Sequence, residues 1–110
     1  MMESAVADAL GALPSDPGPV EVLGEGPLAR ALRARLKLRA GGVGRRPVAV
    51  IETTGDVRAV QEALRRVADL GTVVLAGQPP PDPVALDLYA DLHVRGLTLV
   101  GTSSRPGDAP

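Results

Sequence analysis

Gly24-Glu25-Gly26-Pro27-Leu28-Ala29 has the residue types and spacing of a phosphate-receiving turn, G-x-G-x-x-G/A. It follows the strand-like run Val20-Glu21-Val22-Leu23 and opens a helical pattern. The first glycine permits the tight turn, and the second lets backbone approach a pyrophosphate. The small third residue allows close helix–strand packing, and the free N–H groups at the helix start face the phosphates. The same turn also builds ordinary α/β crossovers, so alone it does not separate a phosphate site from a plain connection. Glu25 lies inside the turn, where its carboxylate would repel phosphates unless it points to solvent.

Glu52-Thr53-Thr54 ends a second strand-like run, at the edge of the sheet where α/β proteins bind ligands. Thr54 or Asp56 suits a helix cap, and Glu52 reads either as a general base or as part of a structural pattern. His93 is the only histidine and the chain has no Cys, which argues for a structural or surface histidine and no metal site. No catalytic residue is assigned. Seven of the twelve basic residues (Arg30, Arg33, Arg35, Lys37, Arg39, Arg45 and Arg46) fall in one acid-free stretch. That stretch is a solvated helix face, or a site for a ribose phosphate, an acidic partner or nucleic acid. No aromatic residue interleaves for base stacking, which makes nucleic acid the least favoured of these.

The elements that must hold these residues alternate in type. Val6, Leu10 and Leu13 mark one face of a first helix that Pro14 ends. Pro27 sits just inside a second helix with Leu28, Ala31, Leu32 and Leu36 at core spacing. A short strand is read around Leu36-Lys37-Leu38, and a buried strand at Val48-Ala49-Val50-Ile51. Asp56 caps a helix with the stripe Val57, Val60, Leu64 and Val67, and Gly71 is placed at its C′ position. Thr72 to Ala76 is a third strand, Leu86 to Val94 a short helix or extended piece, and Leu97 to Val100 the last strand. Glu21 is unusual for a central strand. It faces either a side left open by missing elements or a site.

Strands alternating with helices imply βαβ units. The expected fold class is α/β: a reduced doubly wound domain, with a short parallel sheet of about four or five strands and helices on both faces. One domain, residues 1–102, is expected, with residues 103–110 as a flexible C-terminal tail. The 45% hydrophobic content includes one Tyr, no Phe and no Trp, so the core must be built from Val, Leu, Ile and Ala. A net charge of −1 supplies no field to steer nucleic acid or a membrane surface. No apolar run approaches a membrane span, and Met1 to Asp8 lacks the basic start of a signal peptide, so a cytoplasmic protein is the expectation.

Val50-Ile51-Glu52-Thr53-Thr54-Gly55, then Gly71-Thr72-Val73-Val74-Leu75-Ala76-Gly77, then Leu86-Asp87-Leu88-Tyr89 and His93 to Gly101 together resemble one known pattern. The succession is similar to the second half of the coenzyme (Rossmann) domain of medium-chain dehydrogenases, especially the zinc-type alcohol and sugar branch. The resemblance implies NAD or NADP as cofactor, with Gly24, Gly26, Pro27, Leu28, Thr53, Thr54 and Gly77 as binding residues. It also implies a homodimer through Leu97 to Gly101, the strand that pairs with its twin in that family.

Two departures stand against full function. About ten residues separate Leu36 from Pro47, too few for the family's next strand, helix and strand, and no acid lies between Arg30 and Arg46 to take ribose hydroxyls. The family's catalytic domain and its Cys, His and Glu zinc ligands are also absent from these 110 residues. The chain is therefore not a competent zinc-dependent dehydrogenase by itself. The leading expectation is a non-catalytic or accessory protein acting through dimerisation or a protein partner. A nucleotide-binding module for NAD(P) or an adenine nucleotide comes second, and a repurposed enzyme at Gly24, Glu52 and Thr54 third. The Met start, the closing tail and the shortened middle fit a gene that diverged on its own, with a fragment of a longer dehydrogenase as the other reading.

Overall fold

The computed structural model describes residues 2–15, 18–36, 46–76, 83 and 85–102. Its elements are α1 (Met2–Gly11), β1 (Val20–Leu23), α2 (Pro27–Leu36), β2 (Ala49–Glu52), α3 (Val57–Arg66), β3 (Thr72–Leu75), α4 (Leu88–His93) and β4 (Thr98–Gly101). The strands form one parallel sheet in the order β1-β2-β3-β4. This is an α/β Rossmann-like fold with four strands among the described residues.

Alternation along each strand divides the core in two. Val20, Val22, Ala49, Ile51, Val74 and Ala76 face Val6 and Ala9 of α1 and Ala29, Leu32 and Leu36 of α2. Val50 and Val73 face Ala63, Leu64 and Val67 on the other side, where Leu92, Leu97 and Leu99 also pack. Both strands of the centre, β2 and β3, are buried on the two faces, which is why they read as unbroken apolar runs.

The placement of α2 and α3 has a topological consequence. The chain steps the same way across the sheet from β1 to β2 to β3, yet α2 covers one face and α3 the other. Two such crossovers have opposite hands, so one of them is left-handed. About 98% of parallel crossovers are right-handed, because strand twist and helix hand favour that return path.

Several sequence expectations change in the structure. Leu36 is the last residue of α2, not the start of a strand, and residues 37–45 and the tail 103–110 lie outside the described residues. Gly71 is not the C′ residue of α3. That helix ends at Arg66 with Val67 as its C-cap, and Leu70, not Gly71, has the positive φ, 66°. Gly71 is required by closeness instead: a Cβ there would stand 2.7 Å from the Ala68 carbonyl oxygen and 2.8 Å from that of Val48. The segment before the last strand closes as a wide π-type turn, with Val94 N–H donating to Tyr89 O at 2.9 Å and Leu97 N–H to Leu92 O at 3.0 Å.

Two arginines tie elements together. Arg95 donates to Asp69 Oδ1 at 2.8 Å and to the carbonyls of Leu64 and Val67, so its guanidinium satisfies the open C-terminal end of α3. Arg66 makes a two-pronged pair with Glu21, at 2.7 Å for each prong. Among the described residues Glu21 is thus on an edge strand, β1, and not in the sheet centre. Both partners are partly exposed, so the pair contributes on the order of 0.2–1 kcal/mol. Hydrogen bonds from Arg65 and Arg66 also hold the Glu62 carboxyl below its ordinary value.

Candidate functional site

The turn after β1 rests on the loop after β2. Gly24 has φ 111° and Gly26 φ 106°, conformations that L-residues rarely adopt. A Cβ on Gly24 would strike Thr53 Oγ1 and come within 2.8 Å of Thr54 Cγ2. Thr53 fastens the contact, its hydroxyl donating to Leu23 O at 2.8 Å and its N–H to the same carbonyl at 3.1 Å. At Gly26 a Cβ would meet nothing within 4 Å, so open space lies beside the second glycine.

Helix α2 begins at Pro27, whose missing N–H leaves no orphan donor there. Arg30 N–H donates to Gly26 O at 3.0 Å, closing the first turn. Ala29 is fully buried, as the third position of the glycine pattern requires, and Leu28 packs partly buried on the same core. Among the described residues, the N–H groups of Glu25, Gly26, Leu28 and Ala29 have no hydrogen-bond partner. Three of these donors, on Glu25, Gly26 and Leu28, lie at the positive end of a helix on residues that are not fully buried, and can receive an anion. Glu25 is exposed, so its carboxylate is free to lie in solvent.

The loop after β2 is ordered from below by Glu52, only 1% exposed. Its Oε1 accepts from Thr54 N–H at 2.7 Å and from the Thr54 hydroxyl, and its Oε2 accepts from Gly55 N–H at 2.8 Å. The Thr54 oxygen in turn accepts from Asp56 N–H at 2.9 Å, and Asp56 caps α3 by accepting from Arg58 N–H at 2.9 Å. A buried carboxylate is costly unless its lone pairs are used. Here both oxygens are occupied by the loop, so Glu52 builds the wall of the site and is not placed as a general base.

Gly24 thus meets Thr53 and Thr54 at the carboxyl ends of β1 and β2, Gly26, Pro27 and Leu28 follow on the same turn and helix start, and Gly77 lies outside the described residues. His93 stacks on Tyr89, ring centres 5.5 Å apart, within α4. Among the described residues no group of three or more His, Cys, Asp or Glu could hold a metal ion, and no helix is long and apolar enough to cross a membrane. The residue that sequence reasoning missed is Arg33, submerged in the basic stretch. Its Nη2 donates to Val22 O at 2.8 Å and to Gly24 O at 2.7 Å. The available signal was spacing, because Arg33 follows Ala29 by four residues and so lies one helical turn along the same side.

No protein-family model matches the sequence, and no curated protein matches it. Solved structures do. A protein described as a zinc-binding dehydrogenase from Sinorhizobium meliloti, bound to NADP, superposes with a TM-score of 0.76 at 17% identity, covering 91% of this chain and 42% of that one. Another so described, from Clostridium scindens, gives 0.76 at 19% identity, covering 91% and 40%. An alcohol dehydrogenase from Thermotoga maritima gives 0.66 at 22% identity, again covering 91% and 40%. The chain shares its α/β fold with part of these dehydrogenase structures. The likeness is one of fold, and the chain spans about two fifths of the length of these structures.

Because Glu52 supplies three acceptor contacts that an amide cannot all replace, Glu52→Gln is expected to lower stability by about 1.5–3 kcal/mol. Urea unfolding of the two proteins measures it. A change within about 0.5 kcal/mol, ordinary for a neutral surface substitution, would contradict the role given to this carboxylate.

Proposed function

We propose that the chain is a nucleotide-binding module that holds the pyrophosphate of NAD or NADP against residues 24–29, with Thr53 and Thr54 as the opposite wall. The observation that carries this is the open space at Gly26 beside the N–H groups of Glu25, Gly26 and Leu28, which have no partner among the described residues. The fold supports it, since one structure that shares it is bound to NADP. The acid-free stretch from Arg30 to Arg46 suits a ribose phosphate better than it suits ribose hydroxyls, which favours NADP. A bound coenzyme would supply hydride chemistry, and the residues named here would bind and orient its phosphates.

The accessory role that led at the level of sequence has no observation of its own in the fold, whereas the coenzyme reading has the geometry of the turn. The order of the two is therefore reversed. The third reading, an enzyme built on Gly24, Glu52 and Thr54, loses its base because Glu52 is fully engaged.

Titration calorimetry with NADP is expected to give a dissociation constant of about 0.1–1 mM, or roughly 4–5.5 kcal/mol. Gly26→Ala places a methyl group in the open space, and is expected to weaken binding at least about tenfold, or ~1.4 kcal/mol, with the circular dichroism spectrum retained. No binding by the natural sequence, or equal binding by both proteins, would overturn the reading.

We further propose that a second copy of the chain pairs along β4. This strand bonds only β3 among the described residues, and the exposed Leu88, Tyr89 and Val94 lie in and beside α4, which precedes it. An unpaired edge next to exposed apolar side chains favours association. Thr98 and Thr102 N–H point inward, to Gly71 O and Leu75 O, so those of Leu99 and Gly101 point outward. Gly101→Pro removes an outward donor without touching the inner ladder. Light scattering at micromolar concentration is expected to show a dimer that this substitution dissociates, and a monomer from the outset would contradict the pairing.

A further inference from the structure

Arg33 is unusual because of which carbonyls it reaches. Pro19 O and Leu23 O accept from Val48 N–H and Thr53 N–H, so alternate carbonyls of β1 point toward β2. Val22 O and Gly24 O point the other way, to the outer edge, where among the described residues no strand pairs with β1. The Arg33 guanidinium donates to both, at 2.8 and 2.7 Å. It reaches them from α2, the helix that begins at the glycine turn, and so clips the turn to its own helix.

We propose that Arg33 is the positioning residue of the glycine turn, fixing the Gly24–Glu25 peptide so that its N–H is held toward the anion site. The reason is the planarity of the peptide bond. The Gly24–Glu25 peptide is trans, and in a trans peptide the C=O and N–H point in opposite directions. Holding Gly24 O outward on Arg33 therefore holds Glu25 N–H on the opposite side, away from the guanidinium. Gly24 and Gly26 both have positive φ, and glycine populates positive and negative φ about equally. A turn with two glycines needs an outside restraint to keep one orientation. Thr53 supplies steric contact on one side, and Arg33 supplies the hydrogen bonds on the other. The sequence places an exposed guanidinium where a neighbouring strand would otherwise satisfy these carbonyls.

The inference rests on the coenzyme reading for its consequence, but its geometry can be tested without any ligand. Backbone ¹⁵N relaxation on the ligand-free protein is the first arm. In the natural sequence, order parameters at Glu25 and Gly26 are expected to be near the rigid value of about 0.85. In Arg33→Met they are expected to fall toward about 0.6 or below, with the α3 amides unchanged. Arg33→Lys, which keeps a donor, is expected to restore part of the order. Arg30→Met, which removes an equal charge from the same helix, is expected to leave it intact. Unchanged order parameters at Glu25 and Gly26 in Arg33→Met would overturn the proposal.

The second arm titrates inorganic pyrophosphate and follows the Glu25 and Gly26 amide shifts. Arg33→Met is expected to weaken binding about tenfold and Arg30→Met by less than about twofold, a factor of ten being ~1.4 kcal/mol. Equal weakening by both would assign the effect to charge alone and overturn the positioning role. Failure of the natural sequence to bind NADP would count against the coenzyme reading, and the relaxation comparison would still decide what Arg33 does.

Discussion

The missing side chain of Gly24 lets two loops from neighbouring strands occupy one place. The turn leaving β1 must lie on the loop leaving β2, and any Cβ at Gly24 would collide with the Thr53 hydroxyl and crowd the Thr54 methyl. Around this contact the other interactions follow in sequence. Thr53 bonds the last residue of β1, Glu52 shapes the loop that presents Thr53 and Thr54, and the same loop delivers Asp56 to the start of α3. From the other side the turn starts α2, whose Ala29 is buried to the backbone. This close approach joins the starts of both helices, and the N–H groups of Glu25 and Gly26 have no partner among the described residues. The proposed function depends on the same constraint, because it assigns an anion to the N–H groups left unsatisfied there.

The opposite hands of the two crossovers explain why an arginine edges the sheet. In a doubly wound sheet, strand order 3-2-1-4-5-6, the first helix carries the chain to a strand on the outer side of the first. Here α2 keeps the face that suits such a path, but the next described strand, β2, lies on the inner side of β1. Removing a strand–helix–strand segment would produce this arrangement, in which the outer carbonyls of β1 meet no ladder among the described residues. An exposed strand edge invites pairing with other chains, and charged side chains are a common way to blunt it. Arg33 does so while also bracing the glycine turn.

Much of this was legible in the sequence because it depends on local patterns. The β1 strand, the Pro27 helix start, the Asp56 cap and the two apolar faces follow from periodicity and capping chemistry alone. The convergence of Gly24 with Thr53 and Thr54 followed from the resemblance, since nothing in their spacing of about thirty residues says that they touch. Other features were hidden for physical reasons. Gly71 reads as a helix terminator, yet it is demanded by the carbonyls of Ala68 and Val48, which only the assembled sheet brings close. Glu21 reads as a misfit in a central strand, and becomes ordinary once the shortened middle makes β1 an edge and Arg66 its partner. Arg33 was invisible because six other basic residues surround it and its carbonyl partners are not side chains.

Amide chemical-shift mapping with NADP most directly tests whether the backbone left open by the Gly24 contact is the ligand site. The largest changes are expected at Glu25, Gly26 and Leu28, with smaller ones at Thr53 and Thr54 across the turn. Saturating changes centred on α4 or β4 instead, or none at all, would contradict it.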